Sequence, residues 1–422
     1  ASDVYKRQAT IPYIYGTTLN VSTTSTLNTV TASNITTTTI NTQNNSINAG
    51  SGTMNVANIS CTSVSASNPL VFRNAIINGG MAINQRGIST NWSSPTAIGA
   101  VSTLYATDRW NTYRAGGVTG GAIAQGSNAI TDQPYKDGIQ YYLRIGRVSG
   151  DTGTADVIAT YNLETRDSYR FAGQSVTLSF YYRTGSGYSG ASGIYVYLYS
   201  STGTDQSYRG GLTGSVTVAN QTFVTSSTWQ RVAVTGSVPT SSSQLTLGIG
   251  YTPSGTAGAN DYFDITGVQL EMGTVMTPFE YRPYTTELIM CKRYFQKFDS
   301  AGSGQNYFAG LAGGIYSYVC SIVTFQLTVP MRVRPSQYWY TDRTPQMMTV
   351  SGTTTNIDRV GDINGSGTAV VLPALCTGHY GYDSPTDTTM ITLLPVSTTM
   401  TNPGTNVPLF IRQIHIDWIA EL

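Results

Sequence analysis

Between residues 72 and 284 apolar and polar side chains alternate with a period of two, the spacing of a strand that buries one face. In GIQYYLRIGRV, Ile139, Tyr141, Leu143 and Ile145 share one side, and Gln140, Tyr142 and Arg144 the other. In SVTLSFYYRTG, Val176, Leu178, Phe180 and Tyr182 oppose Thr177, Ser179, Tyr181 and Arg183. GIYVYLYS sets Ile194, Val196 and Leu198 against Tyr195, Tyr197 and Tyr199, and QLTLGIGY aligns Leu245, Leu247, Ile249 and Tyr251. Gly-rich turns separate these runs and no helical period intervenes. The pattern predicts an all-β fold in which two antiparallel sheets pack face to face as a jelly-roll-like sandwich.

The stretch DYFDITGVQLEMGTVMTPFEYRPYTTELIMCKRYFQK, residues 261–297, closes this region. It opens as a strand, with Phe263, Ile265, Gly267 and Gln269 alternating with Asp264, Thr266, Val268 and Leu270. Pro278 and Pro283 then predict an extended exit from the sheet, because proline lacks a donor and biases the residue before it away from helix. A short helix should come next, capped by Thr285 or Thr286, with Leu288, Cys291 and Phe295 on one face. Further strands are expected in residues 314–330, in TAVVLPALC, in TTMITLLPV and in PLFIRQIHIDWIAEL. The first of these is apolar on both faces, which fits burial on both sides. The last, with Ile414, Ile416 and Trp418 on one face, should be locked into a core or an interface. These patterns divide the chain into residues 66–285, a sandwich domain, and 286–422, a second C-terminal β-sandwich domain with a short leading helix.

Residues 1–65 read differently. From Thr17 to Val64 the chain is Thr, Ser and Asn punctuated by single apolar residues, Leu19, Leu27, Val30, Ile35 and Ile40 among them. One copy could not bury enough apolar surface to offset its chain entropy. Three copies wound on a common axis could, giving a thin β-rich stalk; a disordered linker is the alternative. The first eight residues, ASDVYKRQ, carry a charge cluster unlike the Thr-rich stretch behind them and read as foreign, so the natural chain is expected to continue upstream.

Composition narrows the function. Only 11% of the 422 residues are charged, 23 basic against 22 acidic, so no field exists to draw nucleic acid or an anionic membrane. No apolar run reaches the length of a membrane-spanning helix. Catalysis finds little support: the two histidines, His379 and His415, lie in no nucleophile or metalloprotease motif. Acidic pairs such as Asp261 with Glu271, or Asp358 with Asp362, are not singled out by the sequence. Cys61, Cys291, Cys320 and Cys376 lack paired metal-site spacing, and Cys376 with His379 makes only half of a zinc site.

The 29 tyrosines supply the candidate chemistry. Tyr195, Tyr197 and Tyr199 form an aromatic stripe, and Tyr142, Arg144, Tyr181 and Arg183 would adjoin it if their strands share a sheet. Flat rings beside hydrogen-bonding groups suit sugars, which have an apolar C–H face and a hydroxyl rim. Tyrosine is also a good strand residue, and the same face could be buried against a neighbouring subunit. Trp92, Trp110 and Trp229 are expected in the core or at sheet edges.

The run ITGVQLEMGTVMTPFEYRPYTTELIMCKRYFQKF resembles the segment that ends the carbohydrate-binding-module-like domain of many bacteriophage tail-fibre and related virion proteins. FRNAIINGGMAINQRG at residues 72–87, DRW at 108–110 and the terminal HIDWIAEL resemble other parts of those chains. The resemblance implies a homotrimeric fibre tip in an extracellular virion, joined upstream to other tail components, that adsorbs to a host cell-surface glycan without cleaving it. It also implies free thiols, from folding in a reducing host cytoplasm. A glycan-cleaving tail spike and a purely structural trimerisation module are the alternatives. Asp261 and Asp264 resemble acidic positions near the last strand of carbohydrate-binding sandwiches, where a structural calcium is sometimes held.

Overall fold

The computed structural model describes residues 72–98, 104–115, 120–299 and 328–333, and beyond these the strands named below with residues 420–421. By contacts the chain falls into two units, Ala1–Ser65 and Ala66–Leu422. The stalk reading and the Cys376–His379 pair lie outside the described residues.

Twelve strands build the sandwich. In chain order they are β1 (Thr96–Ile98), β2 (Leu104–Tyr105), β3 (Asn111–Arg114), β4 (Gly121–Ser127), β5 (Tyr141–Arg147), β6 (Val157–Asn162), β7 (Ser175–Thr184), β8 (Ile194–Ser201), β9 (Val216–Phe223), β10 (Gln230–Ser237), β11 (Gln244–Tyr251) and β12 (Tyr262–Met272). One sheet runs β1-β4-β5-β12-β7-β10 and the other β2-β3-β6-β11-β8-β9, all neighbours antiparallel. The expected all-β sandwich is the fold. Its core lies between the sheets, where Leu143, Ile145, Leu178, Phe180, Ile194, Leu198, Leu245, Leu247, Ile249 and Tyr251 are fully buried. These are the apolar faces expected from the alternation, except that Ile139 precedes β5 and is buried outside the main cluster.

In β12 the alternation breaks. Phe263 and Ile265 face the core as expected, but a bulge between Thr266 and Gln269 then turns Val268 and Leu270 inward in place of Gly267 and Gln269. Gly267 sits at the break with φ of +60°, a conformation that side chains disfavour. Gly267 also lies close under its neighbours: a Cβ there would stand 2.7 Å from Ile139 Cδ1.

The shifted strand is held by the segment that enters the domain. Asn74 donates through Nδ2 to Val268 O at 3.1 Å and accepts Leu270 N–H at its Oδ1, also at 3.1 Å. Val268 N–H reaches Gly79 O at 3.0 Å, and the two backbones lie so close that a Cβ on Gly79 would stand 2.1 Å from Val268 O. Trp110 Nε1 donates to Asn78 O at 3.1 Å, Glu287 accepts the Asn78 N–H, and Arg282 Nη1 reaches Ile76 O at 3.1 Å. The motifs that carry the family resemblance thus meet as one lock that closes the sandwich.

After it, α3 (Tyr284–Lys292) follows two four-residue helices, α1 (Gln133–Lys136) and α2 (Thr165–Ser168). Helix α3 starts one residue before the expected threonine caps, with Pro283 as its N-cap, since proline's fixed φ suits a helix start. The helix ends before Phe295, which belongs to the next strand; Cys291 is a free, buried cysteine whose thiol pKa is pushed up by burial.

Among the described residues ten strands come after the helix: β13 (Phe295–Asp299), β14 (Phe308–Ile315), β15 (Tyr318–Gln326), β16 (Ser336–Trp339), β17 (Gln346–Thr349), β18 (Thr354–Gly361), β19 (Val370–Val371), β20 (Thr388–Pro395), β21 (Pro408–Arg412) and β22 (His415–Ile419). They form a three-stranded sheet, β13-β22-β16, and a seven-stranded sheet, β17-β21-β14-β15-β20-β18-β19. Strand β15 is the middle strand of the seven-stranded sheet. The expected single terminal strand is two, β21 and β22, in different sheets. Both sheets lie in the same unit, Ala66–Leu422, as the sandwich. The last residues return to the sandwich: Glu421 pairs with Arg109, whose side chain is 2% exposed, and with Arg86 at 3.2 Å.

Candidate functional site

Strand β8 presents Tyr195, Tyr197 and Tyr199 on the outer face of its sheet, because Ile194, Val196 and Leu198 take the inner one. Opposite them on β11 stand Gly250, Gly248 and Thr246. The glycines make room for the rings: a Cβ on Gly248 would lie 2.1 Å from Tyr197 Cζ, and one on Gly250 2.9 Å from the Tyr195 hydroxyl. Glycine within a strand marks such a close approach.

Two tyrosines from elsewhere complete the group. Tyr208, in the connection between β8 and β9, stacks on Tyr197 with centroids 5.2 Å apart and on Tyr199 at 6.1 Å. Tyr113 of β3 comes within 6.1 Å of Tyr208. Tyr197 is 8% exposed, enclosed by Tyr195, Tyr199 and Tyr208, whereas Tyr199, Tyr208 and Tyr113 are half-buried. An open cavity of about 590 Å³ is lined by Tyr113, Tyr199, Tyr208, Arg209 and Leu212. Burial first, then the neighbouring phenols, raises the Tyr197 pKa far above the usual range; Tyr199 is raised the same way. The Tyr197 and Tyr199 phenols are therefore neutral donors and acceptors across the physiological range. Arg114, at the cavity wall, is neutralised by Asp151 and donates to Gly153 O at 2.7 Å, while Arg209 is exposed.

Tyr142, Arg144, Tyr181 and Arg183 do not adjoin this group. They belong to β5 and β7 of the other sheet and face outward on the opposite side of the sandwich. Strand β12 runs between those two strands, and its Asp264 takes Arg144 Nε at 2.7 Å and Arg183 Nε at 2.8 Å. Tyr181 is 3% exposed and donates its hydroxyl to Asp137, a structural position. Asp261 is also bound internally: its carboxylate accepts Arg147 Nε at 2.7 Å and the Ser189 N–H and Oγ, each at 2.9 Å. Both carboxylates expected at a calcium site are thus held by guanidinium groups, and no group of three or more metal-binding side chains occurs among the described residues. Of the tryptophans placed in the core or at edges, Trp110 is fully buried, while Trp92 and Trp229 are half-buried on the outer face beside Arg144 and Arg183.

No family model and no curated protein matches the chain. Among solved structures it is similar to a CBM4 module, at 14% identity and a TM-score of 0.27 over 46% of this chain and 98% of that one. It is similar also to the xylan-binding CBM22-1 domain from Paenibacillus barcinonensis, at 13% and 0.25 over 43% and 95%. A CBM61 module in complex with β-1,4-galactotriose matches at 11% and 0.24, over 48% and 99%. At these TM-scores function has to be argued from the chain's own geometry.

Proposed function

We propose that the protein binds a cell-surface glycan, without cleaving it, through the tyrosine-lined cavity on the outer face of the β8 sheet. One observation carries this reading: half-buried rings from β3, β8 and the connection after β8 converge on a single open cavity beside an exposed guanidinium. Ring faces take the C–H side of a sugar, and the phenols and Arg209 take its hydroxyls. Binding without catalysis is supported by the sequence resemblance; of the carboxylates beside the rings, Asp151 is tied to Arg114 and Asp156 takes the Thr252 hydroxyl at 2.5 Å.

The setting is that of a homotrimeric tail-fibre tip on an extracellular virion that adsorbs to its host. The reading is supported by the sequence resemblance and by the low-complexity stretch before residue 66. Three linked copies of a weak site raise avidity by about 10² to 10⁴ without any new contact.

A glycan array probed with the full chain tests the assignment. The intact protein should bind a defined set of glycans. Tyr208→Ala, which removes a half-buried ring from the cavity mouth, should lower that binding roughly tenfold at an unchanged melting temperature. Failure of the intact chain to bind any glycan, or equal binding by Tyr208→Ala, would overturn it.

A further inference from the structure

The opposite outer face carries a second arrangement of rings and guanidinium groups. Trp92, in the loop before β1, meets Tyr262 edge to face with centroids 5.2 Å apart. The Arg144 guanidinium lies 3.5 Å from the Tyr262 ring centre and 5.5 Å from that of Tyr142. Arg183 lies 4.9 Å from Tyr142 and 4.5 Å from Trp229, whose ring meets Tyr142 at 5.7 Å. Ring and cation thus alternate from Trp92 to Trp229, with Asp264 fully buried beneath the middle of the row.

Three features of the row point to its ligand. First, Tyr142 lies across Gly126 of β4, where a Cβ would stand 2.1 Å from its Cζ, so that ring, 9% exposed, is set down against the sheet and the half-buried Trp92, Tyr262 and Trp229 are the rings a ligand can reach. Second, the charges cancel: Arg144 and Arg183 are matched by Asp264 and by Asp132, 3.8 Å from Arg183. A neutral surface of this kind does not select nucleic acid or an acidic chain. Third, Arg144 uses Nε and one Nη on Asp264, and among the described residues nothing takes its other Nη. Its side chain is 15% exposed and that of Arg183 23%, so N–H donors are held rigidly at the surface between rings.

We propose that this row is a second carbohydrate site, which takes several consecutive units of a neutral, extended glycan chain. It does not rest on the tyrosine cavity, which lies on the other sheet. A row of alternating rings and donors gains contacts with each added sugar unit, whereas one cavity is filled by one or two. Dependence on chain length is therefore the signature of this face. Trp92 and Trp229, at the two ends, are the residues that a long chain needs and a short one does not.

The test uses the full chain carrying Tyr208→Ala, which weakens the cavity, against an immobilised panel of neutral linear oligosaccharides from one to six units, with sulfated hexasaccharides as the charged control. Binding to at least one neutral series should rise at least tenfold from disaccharide to hexasaccharide. Adding Trp92→Ala or Trp229→Ala should lower hexasaccharide binding at least fivefold and leave disaccharide binding unchanged. Trp92→Phe and Trp229→Phe, which keep a ring and the fold, should give intermediate values. Absence of binding to every neutral series, binding confined to the sulfated control, affinity independent of length, or hexasaccharide binding unaltered in all four tryptophan variants would each overturn the proposal. If Tyr208→Ala alone leaves glycan binding untouched while the tryptophan variants weaken it, this site stands and the cavity assignment falls.

Discussion

Tyr197 is the centre of the aromatic stripe in the sequence, yet at 8% exposure it is the ring least available to a ligand. Alternation fixes which side of a strand a residue faces; it does not say what covers that side. Tyr208 and Tyr113 cover it, from a connection and from a strand three places away across β6 and β11, and nothing local to the stripe points to them. The readable signal was the glycine pair in GIGY, since Gly248 and Gly250 leave space for rings lying over β11. Tyr142, Arg144 and Arg183 were legible as outward-facing residues, but their sheet was not, because sheet order depends on pairings far apart in the chain.

Asp108 gives a test at the same scale. It is fully buried, accepts Gln85 N–H at 2.9 Å, and burial raises its pKa from 3.8 to about 6. The folded state therefore keeps a proton that the unfolded chain releases, so this residue favours folding below about pH 4 and loses that contribution as pH rises to about 6. Asn at this position does not titrate. The stability of Asp108→Asn relative to the natural protein should thus shift in the variant's favour by on the order of 2–3 kcal/mol between pH 4 and pH 7. Denaturant unfolding of both proteins at the two pH values measures this, and a pH-independent difference would contradict it.

At the scale of elements, the alternation in β5, β7, β8 and β11 carried the core, because each strand keeps one face against the opposite sheet. It failed in β12, where one residue at φ of +60° exchanges the faces of the rest of the strand. ITGVQL contains the glycine that permits this, but glycine in a strand is equally compatible with an unbroken one. The helix start and the separation of β21 from β22 were missed for a related reason: a proline cap and a change of sheet leave the apolar period almost unchanged. Gly267→Ala should destabilise the protein by about 1–3 kcal/mol, from the strained backbone and from the contact with Ile139. Thermal unfolding of this variant beside Gly255→Ala, at a surface turn with the same sign of φ and open space around it, separates the two causes. Equal losses in both variants would assign the cost to backbone conformation alone.

For the molecule as a whole, residues drawn from the motifs most suggestive of a family, 72–87, 108–110, 265–298 and 415–422, form the lock around the sandwich rather than either candidate site. Resemblance carried by such residues reports how the domain closes; the tyrosine cavity lies outside them. That separation explains why the fold was legible and the site only in part. It also makes the outer faces independent of the lock, so rings can be removed from them with the fold kept. Glycan binding at the tyrosine cavity is measured by calorimetric titration of the best array ligand into the full chain and into the double variant Tyr199→Ala/Tyr208→Ala. The Kd should weaken roughly 10- to 100-fold in the double variant, about one decade per lost ring at most, with the unfolding midpoint within a few degrees of the parent. Equal Kd values in two equally folded proteins would contradict it.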